Sequence, residues 1–258
     1  MINEFEYEKL QNEFKNGQPF SHCVIDNFFD EETALKLSEE FPDYNDNVWS
    51  IYDNPIENKR TNSNWNLFPK ETYQFFSLMN GDEFIEKVKK ITGIDDLAAD
   101  YGLHGGGWHM HGRNGKLNLH KDYSIHPKLE MERRINIIIY MTPIWQESWG
   151  GGLELWSNDE EKNLPKECIK KIDNKFNRAV IFDTTQNSWH GLPDAINCPP
   201  GMYRKSLAIY YVSPPRKEAE VHDRALFAPY KDQVSDPKIL ELIKKRSSSK
   251  TSGEVYRT

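Results

Sequence analysis

The sequence predicts a mainly β protein, an antiparallel sandwich or barrel core with a helical N-terminal layer packed against it. Three observations carry that expectation. Up to about residue 99, apolar residues recur at helical spacing. From Ala98 onward, short apolar runs alternate with Gly- and Pro-rich turns and no helix intervenes. Aromatic residues make up 12% of the 258-residue chain and include seven Trp, which suits a thick β core and a pocket with aromatic walls.

Taken in order, Cys23-Val-Ile-Asp-Asn-Phe-Phe is an apolar run fit for a strand. Asp30 then caps a helix in which Ala34, Leu35, Leu37 and Phe41 follow helical spacing, and Pro42 helps to end it. Residues 43–66, rich in Asn and Asp, read as a long loop. Residues 68–79 and 83–91 read as two amphipathic helices, the second stopping near Gly93. Strands are expected at 116–122, 135–142, 152–156, 178–184 and 205–213, and Gly150-Gly-Gly between them is most simply a tight turn. Asp236-Pro237 opens a last helix over 236–246, whose Lys244-Lys-Arg246 end suits the negative pole of its dipole. The polar tail 247–258 is expected to fray. No internal repeat or linker is evident, so residues 1–246 read as one domain, with a mixed layer at 1–99 and the β core at 100–215.

Composition narrows the function classes. Lys and Arg total 33 against 40 Asp and Glu, a net charge of −7, which counts against a nucleic-acid module. No stretch approaches the ~20 apolar residues of a membrane helix. The first residues are too acidic for a signal peptide. Cys23, Cys168 and Cys198 lie far apart without a CxxC pair, so neither a disulfide framework nor a cysteine zinc site is expected, and a cytoplasmic location is.

The informative segment is Lys116-Leu-Asn-Leu-His-Lys-Asp122. Strand alternation puts Asn118, His120 and Asp122 on one face, His120 and Asp122 roughly 7 Å apart along the backbone. Neighbouring residues 135–142 are apolar on both faces, so a carboxylate facing inward beside them needs a partner. A second imidazole, His190, follows the apolar run Ala179-Val-Ile-Phe. Two His and one carboxylate form the facial triad that suits Fe(II) and leaves positions open for a co-substrate and oxygen. Arg204 and Ser206, two apart on a later strand, offer a guanidinium fork and a hydroxyl to a carboxylate entering a closed pocket.

His120-x-Asp122, then His190, then Arg204-x-Ser206 resembles the Fe(II)/2-oxoglutarate-dependent dioxygenases, most of all their prolyl 4-hydroxylase-like branch. Ile138-Ile-Tyr-Met-Thr, Gly150-Gly-Gly-Leu-Glu-Leu and Trp189-His-Gly-Leu-Pro add to the likeness, which spans about residues 20–215. The resemblance implies a double-stranded β-helix (jelly-roll) core. It implies Fe(II) on His120, Asp122 and His190, with 2-oxoglutarate and O2 as co-substrates and ascorbate as an optional reductant. It also implies Arg204, assisted by Ser206, on the far carboxylate of 2-oxoglutarate, and Tyr140 touching the same molecule. The implied reaction hydroxylates an aliphatic C–H of a small molecule, amino acid or peptide and releases succinate and CO2. Two departures stand out. Arg204 comes fourteen positions after His190 (204 against 190), later than in many relatives, and the tyrosine often found about ten residues before His-x-Asp is replaced by Met110 and His111.

Two rivals use the same features: a zinc-dependent hydrolase on the same triad, which has no use for Arg204 and Ser206, and a non-catalytic jelly-roll binding module. Among other residues, His109 and His111 alternate and read as pocket wall or strand polarity rather than a second metal pair. His126, before Pro127, reads as solvent-exposed, and His22, His104 and His222 offer no spacing to argue from. Trp108, Arg113, Asn118, Arg133, Arg134, Trp145, Trp149 and Trp189 are candidates for the substrate pocket. The segments 43–66 and 126–134 are candidate lids.

Overall fold

In the computed structural model, which describes residues 1–184, 187–222 and 224–255, helices build the N-terminal layer. They are α1 (Tyr7–Asn16), α2 (Glu31–Glu39), α3 (Lys70–Met79) and α4 (Asp82–Thr92). The Asp30 carboxylate accepts the Thr33 N–H at 2.8 Å, the N-cap that its position implies. α4 ends at Gly93, whose left-handed φ of 71° is cheap only for glycine. α1 left no readable pattern, because only Leu10 and Phe14 are buried along it.

The strands are β1 (His22–Ile25), β2 (Ser50–Asn54), β3 (Glu57–Asn62), β4 (Ala98–Ala99), β5 (Gly107–His111), β6 (Lys116–Lys121), β7 (Glu132–Tyr140), β8 (Leu153–Asp159), β9 (Leu164–Ile172), β10 (Ala179–Asp183), β11 (Trp189–Leu192), β12 (Arg204–Ser213) and β13 (Leu226–Phe227). Ten form a path in the order β1-β10-β7-β12-β5-β3-β6-β11-β8-β9, and all the pairings are antiparallel. Side chains from β5, β7 and β12 on one limb and from β6, β8 and β11 on the other line a single cavity, so the sheet curls over on itself.

Alternation along β7 and β12 separates two faces. Ile135, Ile137, Ile139, Leu207, Ile209 and Tyr211 pack with Phe28, Phe75, Phe76 and Val88 of the helical layer. Burying each such aliphatic or aromatic side chain contributes about 1.5–3 kcal/mol. The alternate residues Asn136, Ile138, Arg204, Ser206, Ala208 and Tyr210 are left facing the cavity.

Three expectations need correction here. Residues 43–66 are not a long loop: β2 and β3 form a hairpin, and β3 pairs with both β5 and β6. The hairpin is written in polar residues because β2 is largely exposed and β3 buries its ends through Glu57 and Asn62, so no apolar alternation marks it. β9, β11 and the two short strands β4 and β13 are further strands that the sequence pattern does not announce. The tail does not simply fray. After α5 (Pro237–Arg246), capped by Asp236, a short α6 (Ser252–Val255) buries Ser252, and the Thr251 hydroxyl donates to the Lys245 carbonyl at 2.8 Å. Residues 256–258 of that tail lie outside the described residues. No described helix is long and apolar enough to cross a membrane.

Candidate active site

β6 and β11 are antiparallel neighbours, and their register sets His190 directly opposite His120. Cross-strand partners share a face, so both imidazoles point into the cavity, with ring centroids 4.4 Å apart. Asp122 stands just beyond the end of β6. Its Oδ1 lies 3.6 Å from His120 Nε2 and its Oδ2 lies 3.8 Å from His190 Nε2. One donor atom from each of the three falls within 4.8 Å of the others. Gly191 makes this approach feasible: a Cβ there would meet the Leu117 carbonyl oxygen at 2.7 Å.

Both rings are held by their own strands. His120 Nδ1 lies 3.0 Å from the Asn118 carbonyl and His190 Nδ1 lies 2.8 Å from the Ser188 carbonyl. Donation from Nδ1–H to a carbonyl leaves each Nε2 a free lone pair facing the carboxylate, the arrangement that metal-binding histidines use. Phe227 stacks on His120, and Phe182 meets His190 edge-on. Burial, then the neighbouring His120, lowers the His190 pKa to about 4, so this imidazole is neutral at physiological pH. Burial alone would raise the Asp122 carboxyl, but Arg133, with His120 and His190, pulls it well below the usual range. The result is two imidazole nitrogens and an anionic oxygen converging on one point.

The same cavity, about 210 Å³, continues to Arg204 and Ser206 on β12. Arg204 is 2% exposed. Its Nε donates to the Gly151 carbonyl at 2.7 Å and its Nη1 to Ser206 Oγ at 3.3 Å. Among the described residues no carboxylate answers its charge, and burial lowers its pKa. Gly151 takes φ 79°, a conformation that favours glycine and turns its carbonyl to Arg204, so the triple-glycine turn does more than reverse the chain. Tyr140, opposite Ser206 in the register, is fully buried with its hydroxyl lacking a partner, and the Arg204 guanidinium sits 4.9 Å from its ring centroid. His111 is paired across the ladder with Arg204, and neither of its ring nitrogens finds a partner. Unanswered charge and unused polar atoms at one end of a cavity, with a divalent donor set along its wall, fit a small anionic ligand that also reaches the ion.

The remaining candidates sort differently. His109 and His111 line the cavity, whereas Met110 turns to the core. Of the residues proposed for the substrate pocket, only Arg133 lines it. Trp108 packs among Phe41, Trp49 and Phe68, and Trp145 meets Trp149 edge-on outside the cavity. Trp189 donates to Asn158, Arg113 to the Cys198 carbonyl, and Arg134 pairs with Asp183. Asn118 spends its amide on the Ala228 carbonyl and Gln233. His126 is buried, not exposed. Its Nδ1 accepts the Lys128 and Leu129 N–H groups, which closes the turn after it, and its Nε2 lies 3.4 Å from Asp100. Tyr52, Lys59 and Thr61 of the β2–β3 hairpin, together with Arg246 of α5, complete the wall; only the pairing of strands far apart in sequence could have revealed them.

Residues 106–212 match the family model described as the 2OG-Fe(II) oxygenase superfamily. Mouse prolyl 3-hydroxylase OGFOD1 is 25% identical over 192 residues, covering 69% of this chain and 30% of that protein. The chain spans less than a third of the length of the curated relatives it matches. A Trichoplax adhaerens prolyl hydroxylase, solved with a hypoxia inducible factor peptide fragment, superposes with a TM-score of 0.55 at 19% identity, over 81% of this chain and 91% of that one. A Pseudomonas putida prolyl-4-hydroxylase gives 0.56 at 12% identity, over 80% of this chain and all of the other. These likenesses identify the curled sheet as a double-stranded β-helix. Together with the order of motifs, they give one likeness: residues 106–212 are similar to the 2OG-Fe(II) oxygenase superfamily, and the chain shares the fold of the prolyl hydroxylases named above.

Proposed function

We propose that the chain is an Fe(II)- and 2-oxoglutarate-dependent dioxygenase, with residues 1–246 working as one oxygenase domain and a prolyl residue of a peptide as its substrate class. His120, Asp122 and His190 hold the metal. Arg204 and Ser206 receive the far carboxylate of 2-oxoglutarate, and the unpartnered Tyr140 hydroxyl is free to donate to it. When bound, iron and co-substrate supply the oxidising chemistry, in which R–H, O2 and 2-oxoglutarate give R–OH, succinate and CO2. The protein's part is to orient both imidazoles through their Nδ1 atoms and to keep the carboxylate ionised. The observation that carries the reading is Arg204: a buried guanidinium without a counter-charge is costly unless a ligand anion completes it. A zinc hydrolase would leave that charge unused. The prolyl substrate class is supported by the names of the relatives above. Three free cysteines, Cys23, Cys168 and Cys198, suit a reducing compartment, and we assign the cytoplasm.

Anaerobic addition of Fe(II) and 2-oxoglutarate to the wild type should give a weak visible charge-transfer band, and Asp122→Ala should abolish it. Proline-containing peptides should then stimulate oxygen-dependent succinate release. No band in the wild type, or succinate release by Asp122→Ala at the wild-type rate, would overturn the assignment.

A further inference from the structure

Arg133 has surroundings that its place on β7 does not require. Its side chain is 2% exposed, and its guanidinium lies between two rings, 3.6 Å from the Tyr123 centroid and 3.3 Å from that of Tyr210. Nη2 donates to the His104 carbonyl at 2.5 Å, which fixes the plane of the group. Nη1 is left facing Asp122 Oδ2 at 3.6 Å, and Asn136 Nδ2 reaches the same oxygen at 3.4 Å. Oδ1 is turned to His120. Each oxygen faces an imidazole, Oδ2 that of His190 at 3.8 Å, but only Oδ2 also has a cation and an amide beside it.

We propose that Arg133, with Asn136, is a positioning residue that engages Oδ2 of Asp122 and leaves Oδ1 as the oxygen given to the metal. The inference rests on the metal-site reading above. A carboxylate free to rotate can offer an ion either oxygen or both. Held by one oxygen, it offers the other alone, which preserves the open positions that a chelating co-substrate and O2 need. The stacked rings matter because a lysine in place of Arg133 would keep the charge but lose the plane.

Charge and positioning act on metal affinity with opposite signs, and that separates them. A cation beside the site repels an incoming dication, so if charge were its whole effect, Arg133→Gln would bind metal more tightly. If Arg133 served only the substrate, the substitution would leave metal binding unchanged. Positioning predicts weaker binding, by about tenfold or more, as is usual when a partner of a metal ligand is lost. The experiment is titration of the metal-free protein with Co(II), followed by its visible absorption, which reports both affinity and coordination. Asn136→Ala is the second variant. It touches the same oxygen but carries no charge, so it should weaken binding in the same direction and shift the Co(II) spectrum, and it decides the matter if Arg133→Gln does not fold. Tighter or unchanged binding in either folded variant, with a wild-type spectrum, overturns this inference alone. Wild-type protein that takes up no Co(II) overturns the metal reading and this inference with it.

Discussion

Arg204 shows how a single side chain can define a ligand before any ligand is seen. A guanidinium buried against a carbonyl and a hydroxyl keeps its charge, and an anion beside it would answer that charge. A charge-assisted hydrogen bond in such a place is worth about 1.5–3 kcal/mol, which is about ten- to a hundredfold in affinity. Arg204→Gln should therefore raise the dissociation constant for 2-oxoglutarate by that factor, measured by titrating the charge-transfer band, while Co(II) affinity stays close to wild type. An unchanged constant would remove Arg204 from the ligand end of the cavity. At this scale the sequence was generous where chemistry is local. His120 and Asp122 share a strand face, and Arg204 and Ser206 repeat the trick. It pointed His111 and Arg133 to the pocket but not to their partners, nor did it show what the Gly151 carbonyl meets, because spacing along one strand does not encode which residue lies across the ladder.

The β2–β3 hairpin is the element that sequence reasoning most misjudged. Its strands carry Asn, Asp, Glu, Lys and Arg because its tip and outer face are wet, while Glu57 is completely buried beneath α5. There it accepts from Arg246 Nε at 2.9 Å and lies 3.5 Å from Lys59 Nζ. This pair ties the last turn of one helix to the middle of the sheet. Removing one partner of a buried pair strands the other charge, at a cost of about 3 kcal/mol or more. Glu57→Ala should lower the urea midpoint accordingly, and an unmoved midpoint would show the contact to be dispensable. Helices α2 to α5 were legible because caps and apolar spacing sit within one segment. The polar strand β3 was not, because its partners β5 and β6 lie about 50 residues or more away, as Arg60 opposite Met110 illustrates.

For the whole molecule, burial of neutral histidines sets the response to acid. Burial, aided by nearby cations or imidazoles, lowers His104 to about 4, His109 to about 3 and His190 to about 4. In the unfolded chain each titrates near 6.5. The unfolded state therefore takes up protons that the folded state refuses once the pH drops below about 6.5. The stabilisation from these groups is complete above that value and is lost progressively towards pH 4 and below. The melting temperature of the metal-free protein should be flat from pH 7 to 8 and fall steadily from 6.5 to 4.5. A level profile across that acid range would show that these rings are not buried as neutral groups.

Register has one more consequence, for the order of events in the life of the chain. The partner of His120 is seventy residues downstream, and β7 is flanked by β10 and β12, both made after it. Chains fold as they are synthesised, at roughly 5–20 residues per second. On the proposed assignment, the growing polypeptide displays only two of the three donors until residue 190 has been made. The three-donor set of that assignment forms only once β11 has been made.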